Sequence, residues 1–340
     1  MLFQREQTAQ SNVGSIYLHG GRVWRSGEIR SENVLVQNGV IAAIGNIEAP
    51  PNIEAWELEG RLITPGFIDA EHDVRFDHLG ATCPGPYLDR ERRKRDMPDV
   101  GPANDSELVV AIETLIKEGV STIAVPGAKL DVKGIRIVSA PWISSLVFER
   151  NPTKRFARTK GTPIYVSVAD GDSKEKARDV TLLRGFEMLK PNLVAVGGTA
   201  LRREDAEELA RAEVTLVWRP VTDEYILGRT IGPEVFAVEN LKLMIGGGTR
   251  QDGGRGLIAA LQRADSFGYC SRRKLLTAAT ETARWVLQTP VGIVAEGLAA
   301  DLNVWEADDF ESAVFERGKE ALCATIVDGR SAFRRNGCFT

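Results

Sequence analysis

Three carboxylates stand at alternate positions in the stretch LITPGFIDAEHD, Leu62 to Asp73: Asp69, Glu71 and Asp73. Successive side chains of a β-strand point to opposite faces, so these three share one face while Ile68, Ala70 and His72 take the other. The stretch opens apolar, with Leu62, Ile63 and Phe67. Acids on one side of such a strand are costly unless that side meets water, a cation or hydrogen-bond donors. The C-terminal end of the strand is therefore expected to open into a cavity. Two neighbouring carboxylates there can divide acid and base roles, because repulsion and unequal burial push their pKa values apart. Glu71 and Asp73 are accordingly the expected catalytic pair, with His72, Asp77 and His78 close enough in sequence to assist. The same parity turns His72 away from the mouth and favours a packed, second-layer role for it. The competing account is that these acids are solvated or paired with nearby Arg75.

A second candidate lies in GGGTRQDGGRG, residues 246 to 256, which joins backbone flexibility to Arg250 and Arg255 just before a helical pattern. Free N–H groups at a helix start beside guanidinium groups suit a carboxylate or phosphate. The earlier strand ends AVGGTA, VTLVWRP and EYILGRT supply Thr199, Trp218, Arg219 and Arg229. Arg219, Arg229, Thr249 and Arg250 are expected to meet at one mouth, with Trp218 and His78 beside them, and a substrate carboxylate fits that mouth best. A glycine-rich turn with solvated arginines is the competing account.

The chain has only three histidines, His19, His72 and His78, so a zinc site built from imidazole and carboxylate is not expected. Magnesium or calcium on Glu71 and Asp73 is a lesser alternative, because beyond Asp170, Asp172 and Asp223 no third carboxylate stands at a strand end. No metal and no organic cofactor is therefore expected. Cys83, Cys270, Cys323 and Cys338 are scattered, which points to reduced thiols in a cytoplasm.

The 340 residues are 43% hydrophobic and 26% charged with a formal net charge of -4, the composition of an ordinary globule with no general pull toward nucleic acid or membrane. No apolar run reaches membrane-spanning length. Two basic loops, ERRKRD at 91–96 and TKRFARTK at 153–160, are expected to be solvated rather than to bind nucleic acid. Residues 14–61 alternate β-rich runs with turns, including an Asn38-Gly39 hairpin signal, and the tail from Asp301 repeats that style. Between them, apolar runs alternate with helical patterns, which argues for parallel βα units. Strands are expected at Leu62–Ala70, Val120–Val125, Ile135–Ser139 or Ile143–Phe148, Ile164–Val168, Leu193–Val196, Val214–Trp218, Tyr225–Leu227 and Leu241–Ile245. Helices fit SELVVAIETLIKEG, SKEKARDVTLLRGFEMLK, EDAEELARAE, RGLIAALQRADSFG and SRRKLLTAATETARWVLQ. The fold class is α/β: a (β/α)8 TIM-like barrel at 62–296, with a small β-sandwich domain built from 1–61 and 297–340. The Arg-, Pro- and Gly-rich stretch from Asp73 to Pro102 should lie over the mouth as a lid.

The run LITPGFIDAEHD resembles the first barrel strand of the amidohydrolase superfamily, in which Pro-Gly-Phe-Ile-Asp leads into a metal-holding His-x-His; here those two positions are Glu71 and Asp73. LKLMIGGGTRQDGG is similar to that family's last strand, with Gly248 where a metal-binding aspartate belongs, and LLTAATETARWVLQTPVGIVAEGLAADLNVW matches its closing segment in order and spacing. The resemblance implies the barrel with its appended β-domain, pairing of two copies, and a small polar substrate with an amide, lactam or related carbon–nitrogen bond. With the metal ligands replaced, the residues imply metal-independent acid/base catalysis of hydrolysis, elimination or cyclisation. A non-catalytic relative serving as a binding or scaffolding subunit is the alternative. A decayed site would more cheaply fill with apolar or small side chains than with acids, which favours the enzyme.

Overall fold

The computed structural model describes residues 14–25 and 27–339. The short β-rich runs at the two ends of the chain form two sheets. β1 (Ile16–His19), β4 (Asn33–Gln37), β5 (Val40–Gly45) and β6 (Glu54–Glu57) make a four-stranded sheet in the order β5-β4-β1-β6. Asn38 and Gly39 join β4 to β5 with φ of 53° and 79°, the positive values that a tight hairpin turn of this kind requires. β2 (Arg22–Arg25), β3 (Glu28–Ser31) and β7 (Leu62–Pro65) join β16 (Leu302–Trp305), β17 (Leu322–Val327) and β18 (Arg330–Arg334) in a six-stranded sheet, ordered β18-β17-β16-β7-β2-β3. The two chain ends meet in the antiparallel β7–β16 pair, with Leu62 opposite Trp305 and Pro65 opposite Leu302. One apolar cluster joins the sheets: Leu18, Val34 and Val36 from the first, Val23, Ile63 and Val304 from the second.

β7 runs through Gly66 into β8 (Phe67–Asp69), where the central part begins. β8, β9 (Val120–Pro126) and β10 (Arg136–Ala140) form a parallel three-stranded sheet. β11 (Trp142–Ile143), β12 (Ile164–Val168), β13 (Leu193–Gly197), β14 (Thr215–Trp218) and β15 (Lys242–Ile245) form a parallel five-stranded one. β10 and β11 are separated only by Pro141, whose carbonyl accepts from the Tyr165 N–H at 2.9 Å. At the other seam the Ala70 N–H donates to the Ile245 carbonyl at 3.0 Å, which sets β8 beside β15 without a ladder of paired strands. Alternation divides the side chains into two layers. Ile68, Tyr165, Val194, Val217 and Met244 fill the inner cluster, while Val166, Leu216, Trp218 and Leu243 face outward into the largest core.

Helices cover that outer layer. α2 (Asp105–Ile116) starts at a capping box of Asn104 with Glu107. α4 (Asp179–Gly185), α5 (Arg203–Arg211) and α8 (Leu257–Phe267) also fall within expected segments. The last expected helix is two, α9 (Arg272–Ala278) and α10 (Glu281–Leu287), broken at Thr280. α1 (Arg90–Asp96), α3 (Pro152–Ala157), α6 (Pro220–Leu227) and α7 (Pro233–Phe236) complete the set. α6 corrects the expected barrel: Tyr225–Leu227 is its last turn and not a seventh strand, so β14 pairs directly with β15. Pro220 in the first turn and Gly228 closing at φ 69° fix the helix at both ends. Among the described residues no helix is long and apolar enough to cross a membrane.

Candidate active site at the ends of the parallel strands

The C-terminal ends of the parallel strands, covered by α1, enclose a cavity of about 560 Å³. Glu71 just past β8, Trp142 on β11, Ser167 on β12, Asp170 beyond it and Arg219 after β14 line its floor and walls. Arg90, Glu91, Lys94 and Arg95 of α1 line it from above, so of the stretch from Asp73 to Pro102 it is this helix that lies over the mouth. Arg219, one residue past β14, lines the cavity, whereas Trp218 on the strand packs outward. Trp218 is fully buried, donates its indole N–H to Thr230 Oγ1 at 2.6 Å and packs against Phe236. Its expected place beside the substrate is thereby corrected.

Two guanidinium groups and three aspartates interlock beneath α1. Arg90 donates from Nε to Asp170 at 3.1 Å and from Nη2 to Asp223 at 3.0 Å, and its Nη1 lies 3.4 Å from Asp252. Arg219 donates to the second oxygen of Asp170 at 3.0 Å and stands 3.5 Å from Asp223. Arg93, 3% exposed, binds Asp252 at 2.5 Å and donates to the carbonyls of Thr82, Cys83 and Gln251. Burial opposes the charge on Arg219, yet Asp170, Glu71 and Asp223 together raise its pKa and keep it protonated. Asp223 is pushed up to about 6 by burial that Arg219 and Arg90 only partly offset. Asp170 is buried too, but Arg219 and Arg90 hold it below the usual carboxylate range.

Glu71 is the carboxylate of this mouth with the loosest ion pair, 3.6 Å from Arg219 Nη1. Burial raises its pKa against the opposing pull of Arg219 and Arg90. Asp73 does not join it. β8 ends at Asp69, and beyond that point the two-residue alternation no longer governs direction. Asp73 instead caps a short 3-10 turn at Val74–Phe76 and takes a bidentate pair from Arg75 at 2.8 and 2.7 Å. The Glu71–Asp73 pair is corrected on that geometry. His72 is 2% exposed, with Nδ1 3.1 Å from Asp69 and Nε2 2.6 Å from Asp77. Burial would lower its pKa, but the two aspartates hold it well above the usual value, so the ring carries charge. Asp69 in turn accepts from the Gly247 and Glu71 N–H groups, at 2.9 and 3.2 Å. His72 and Asp77 thus buttress the backbone of Glu71 from behind and do not line the cavity.

The remaining expected anion contacts disperse. Arg229 pairs with Asp172 at 2.9 Å and donates to the Thr199 carbonyl at 2.8 Å. Thr249 accepts from the Asp252 N–H at 3.2 Å in its own turn. The Arg250 side chain lines a separate cavity of about 390 Å³ with Glu118, His72 and Asp77, while its N–H donates to Asp77 at 2.9 Å. His78, half-buried, lines neither cavity. Sequence reading missed Arg90, Arg93 and Trp142, and took ERRKRD for a solvated loop. The signal for a helix there was Asp89, which caps it by accepting from the Arg92 N–H.

A catalytic metal does not fit this mouth. A divalent cation near Glu71 would stand against the Arg219 guanidinium, and Asp170, Asp223 and Asp252 already hold three arginines, Arg90, Arg93 and Arg219. His72 is turned to Asp69 and Asp77. No cluster of three or more His, Cys, Asp or Glu among the described residues has metal-holding geometry.

No family model matches the chain. A dihydroorotase from Listeria monocytogenes is 30% identical over 112 residues, 31% of this chain and 26% of that protein. The matched stretch thus spans about a quarter of the length of that curated relative. Among solved structures, an adenosine deaminase from Xanthomonas campestris with bound zinc aligns at 14% identity and TM-score 0.71, covering 93% of this chain and 92% of that one. N-isopropylammelide isopropylaminohydrolase from Burkholderia multivorans aligns at 12% identity and TM-score 0.73, with coverage of 96% and 100%. Helicobacter pylori aminofutalosine deaminase aligns at 14% identity and TM-score 0.69, with coverage of 93% and 99%. At these identities the likeness is one of fold, which the chain shares with these deaminases and hydrolases over nearly its whole length.

Proposed function

We propose that the protein is an amidohydrolase-like enzyme that acts at a carbon–nitrogen bond of a small polar, carboxylate-bearing substrate by acid/base chemistry without a bound metal. One observation carries this reading: Glu71 lines the cavity with a pKa raised by burial and a protonated guanidinium 3.6 Å away. Such a carboxylate is a stronger base than a solvated one, and it can take a proton from a substrate N–H or a water and return it to the departing nitrogen. Hydrolysis takes the proton from water, elimination from the carbon beside the carbon–nitrogen bond and ring closure from the attacking N–H, and each returns it to the group that leaves. The carbon–nitrogen class is supported by the deaminase fold and the short dihydroorotase match. Metal independence is supported by the arginines that hold the carboxylates of the mouth.

The test is E71Q, which keeps the side chain's size and removes its basicity. Turnover of small carboxylated amides and lactams is expected to fall about a hundredfold or more, with the thermal midpoint unchanged. Wild-type turnover in E71Q would sink the assignment. A second reading, a non-catalytic binding or scaffolding subunit, is favoured by a separate observation: Asp170, Asp223 and Asp252 are all bound to arginines, so the polar groups of the mouth satisfy one another. Under that reading E71Q leaves a partner complex intact, while substitutions on an exposed face break it.

A further inference from the structure

We propose that the outer half of the cavity binds a planar ring carrying an oxyanion, carboxylate or phosphoryl, with Lys94 and Arg95 holding the oxyanion and Trp142 and Phe148 flanking the ring. The inference rests on the same cavity as the proposed activity and names its ligand class, but it concerns binding and does not depend on turnover.

The residues that sequence alone offers for an anion are engaged elsewhere. Arg219 is held by Asp170, Arg229 by Asp172, and Arg250 faces the other cavity. Lys94 and Arg95 line the main cavity, are exposed, and make no ion pair among the described residues. Their place follows from helix geometry. Glu91, Lys94 and Arg95 stand at i, i+3 and i+4 and share the flank of α1 that faces the cavity, while Arg90 and Arg93 share the neighbouring flank. That neighbouring flank is anchored on Asp170, Asp223 and Asp252, and Glu91 is tied to Lys176 at 2.7 Å. The roots of the two free cations are therefore fixed over the cavity before any ligand arrives, which lowers the ordering cost of binding.

The walls suit a ring. Trp142 stacks on Tyr165 at 6.3 Å and 18°, and Tyr165 is pinned by its hydroxyl donating to the Ala70 carbonyl at 2.7 Å. Phe148 also lines the cavity and leaves 70% of its surface exposed. An uncovered aromatic at a cavity of about 560 Å³ is the kind of surface small flat molecules bury. Polarity sets the orientation. On the floor Asp170 is held by Arg219 and Arg90, which leaves the loosely paired Glu71 as the acceptor there, while Lys94 and Arg95 are the unpaired cations of the rim, so the oxyanion points outward and an N–H edge points to Glu71.

Calorimetric titration of the whole protein with benzoate, phenyl phosphate, benzamide and acetate tests this. Saturable binding of benzoate or phenyl phosphate is expected, about tenfold or more tighter than benzamide, and the K94A/R95A variant should lose about that factor for the anions alone. W142A should weaken ring anions and benzamide together. The titration reads binding without turnover, so failure of the acid/base assignment leaves this result standing. Equal binding of benzoate and benzamide, undiminished anion binding by K94A/R95A, or no saturable binding of either ring anion overturns the proposal.

Discussion

His72 carries its charge in a buried position because Asp69 and Asp77 flank both ring nitrogens. Replacing it by glutamine leaves two buried carboxylates short of a cation, and H72Q is expected to lose about 3 kcal/mol in urea unfolding. The folded pKa of His72 lies above its unfolded value, so the native state binds the extra proton. Its stabilisation is full below about pH 6.5 and is lost as pH rises through the folded value. The gap between wild type and H72Q should therefore narrow in alkali, and a gap that widens would contradict the buried imidazolium. Glu118 gives the same sign of pH dependence from a different cause. Burial raises it from 4.5 to about 7, only partly offset by Lys319 and His72. The native state then holds a proton that the unfolded chain releases, so stability falls as pH climbs from about 4.5 to 7. E118Q should remove that part of the slope, and parallel stability curves for the two proteins over this window would refute it. At this scale Glu71 was legible from its place after an apolar strand. Asp73 was not, because the strand ends four residues before it, and alternation within β14 would have set Trp218 with Leu216 on the outward face.

At the scale of elements, most of the layout is written in periodicity, and the exceptions have local causes. The pattern YIL within Tyr225–Leu227 is compatible with a strand, but Pro220 and Gly228 bracket a helix start and stop, and those signals prevail. α1 was hidden for a different reason. Six of its seven charged side chains, ERRKRD, read as solvated, yet Arg90 and Arg93 find acids that come from distant parts of the chain, a pairing no local pattern encodes. The loop after β15 is likewise set by its surroundings. Gly248 has φ of 68°, and a Cβ there would collide with Thr222. The aspartate that the superfamily resemblance places at this position would have to displace the Thr222 side chain and hold a left-handed backbone. G248D is expected to cost about 2 kcal/mol or more and to gain no zinc. A variant with an unchanged thermal midpoint and stoichiometric zinc would show that the loop is more permissive than its packing indicates.

For the whole molecule, the question is whether the sheets built from the chain ends and the parallel core behave as one body. That both ends of the chain contribute to the same sheet was legible, since the two β-rich tails frame a βα centre. How firmly they attach was not, because the joining contacts span most of the sequence. Trp24, Leu62, Trp305 and Phe310 belong to the same apolar cluster as Val120, Ile123 and the buried face of α2. Thr325 donates to the Ile116 carbonyl at 2.9 Å, and Asn303 donates to the Gly119 carbonyl at 2.9 Å, both buried. β7 enters β8 through a single residue, Gly66, so the six-stranded sheet cannot shift without pulling the strand that carries Glu71. A continuous core with buried cross-links unfolds as a unit, whereas a hinged pair would separate. Thermal unfolding followed by far-UV circular dichroism and by tryptophan fluorescence should give coincident transitions, because Trp24 and Trp305 report the six-stranded sheet and Trp218 the parallel core. Two resolved transitions would mean that the shared cluster is thinner than its composition implies, and that Glu71 is held by the parallel strands alone.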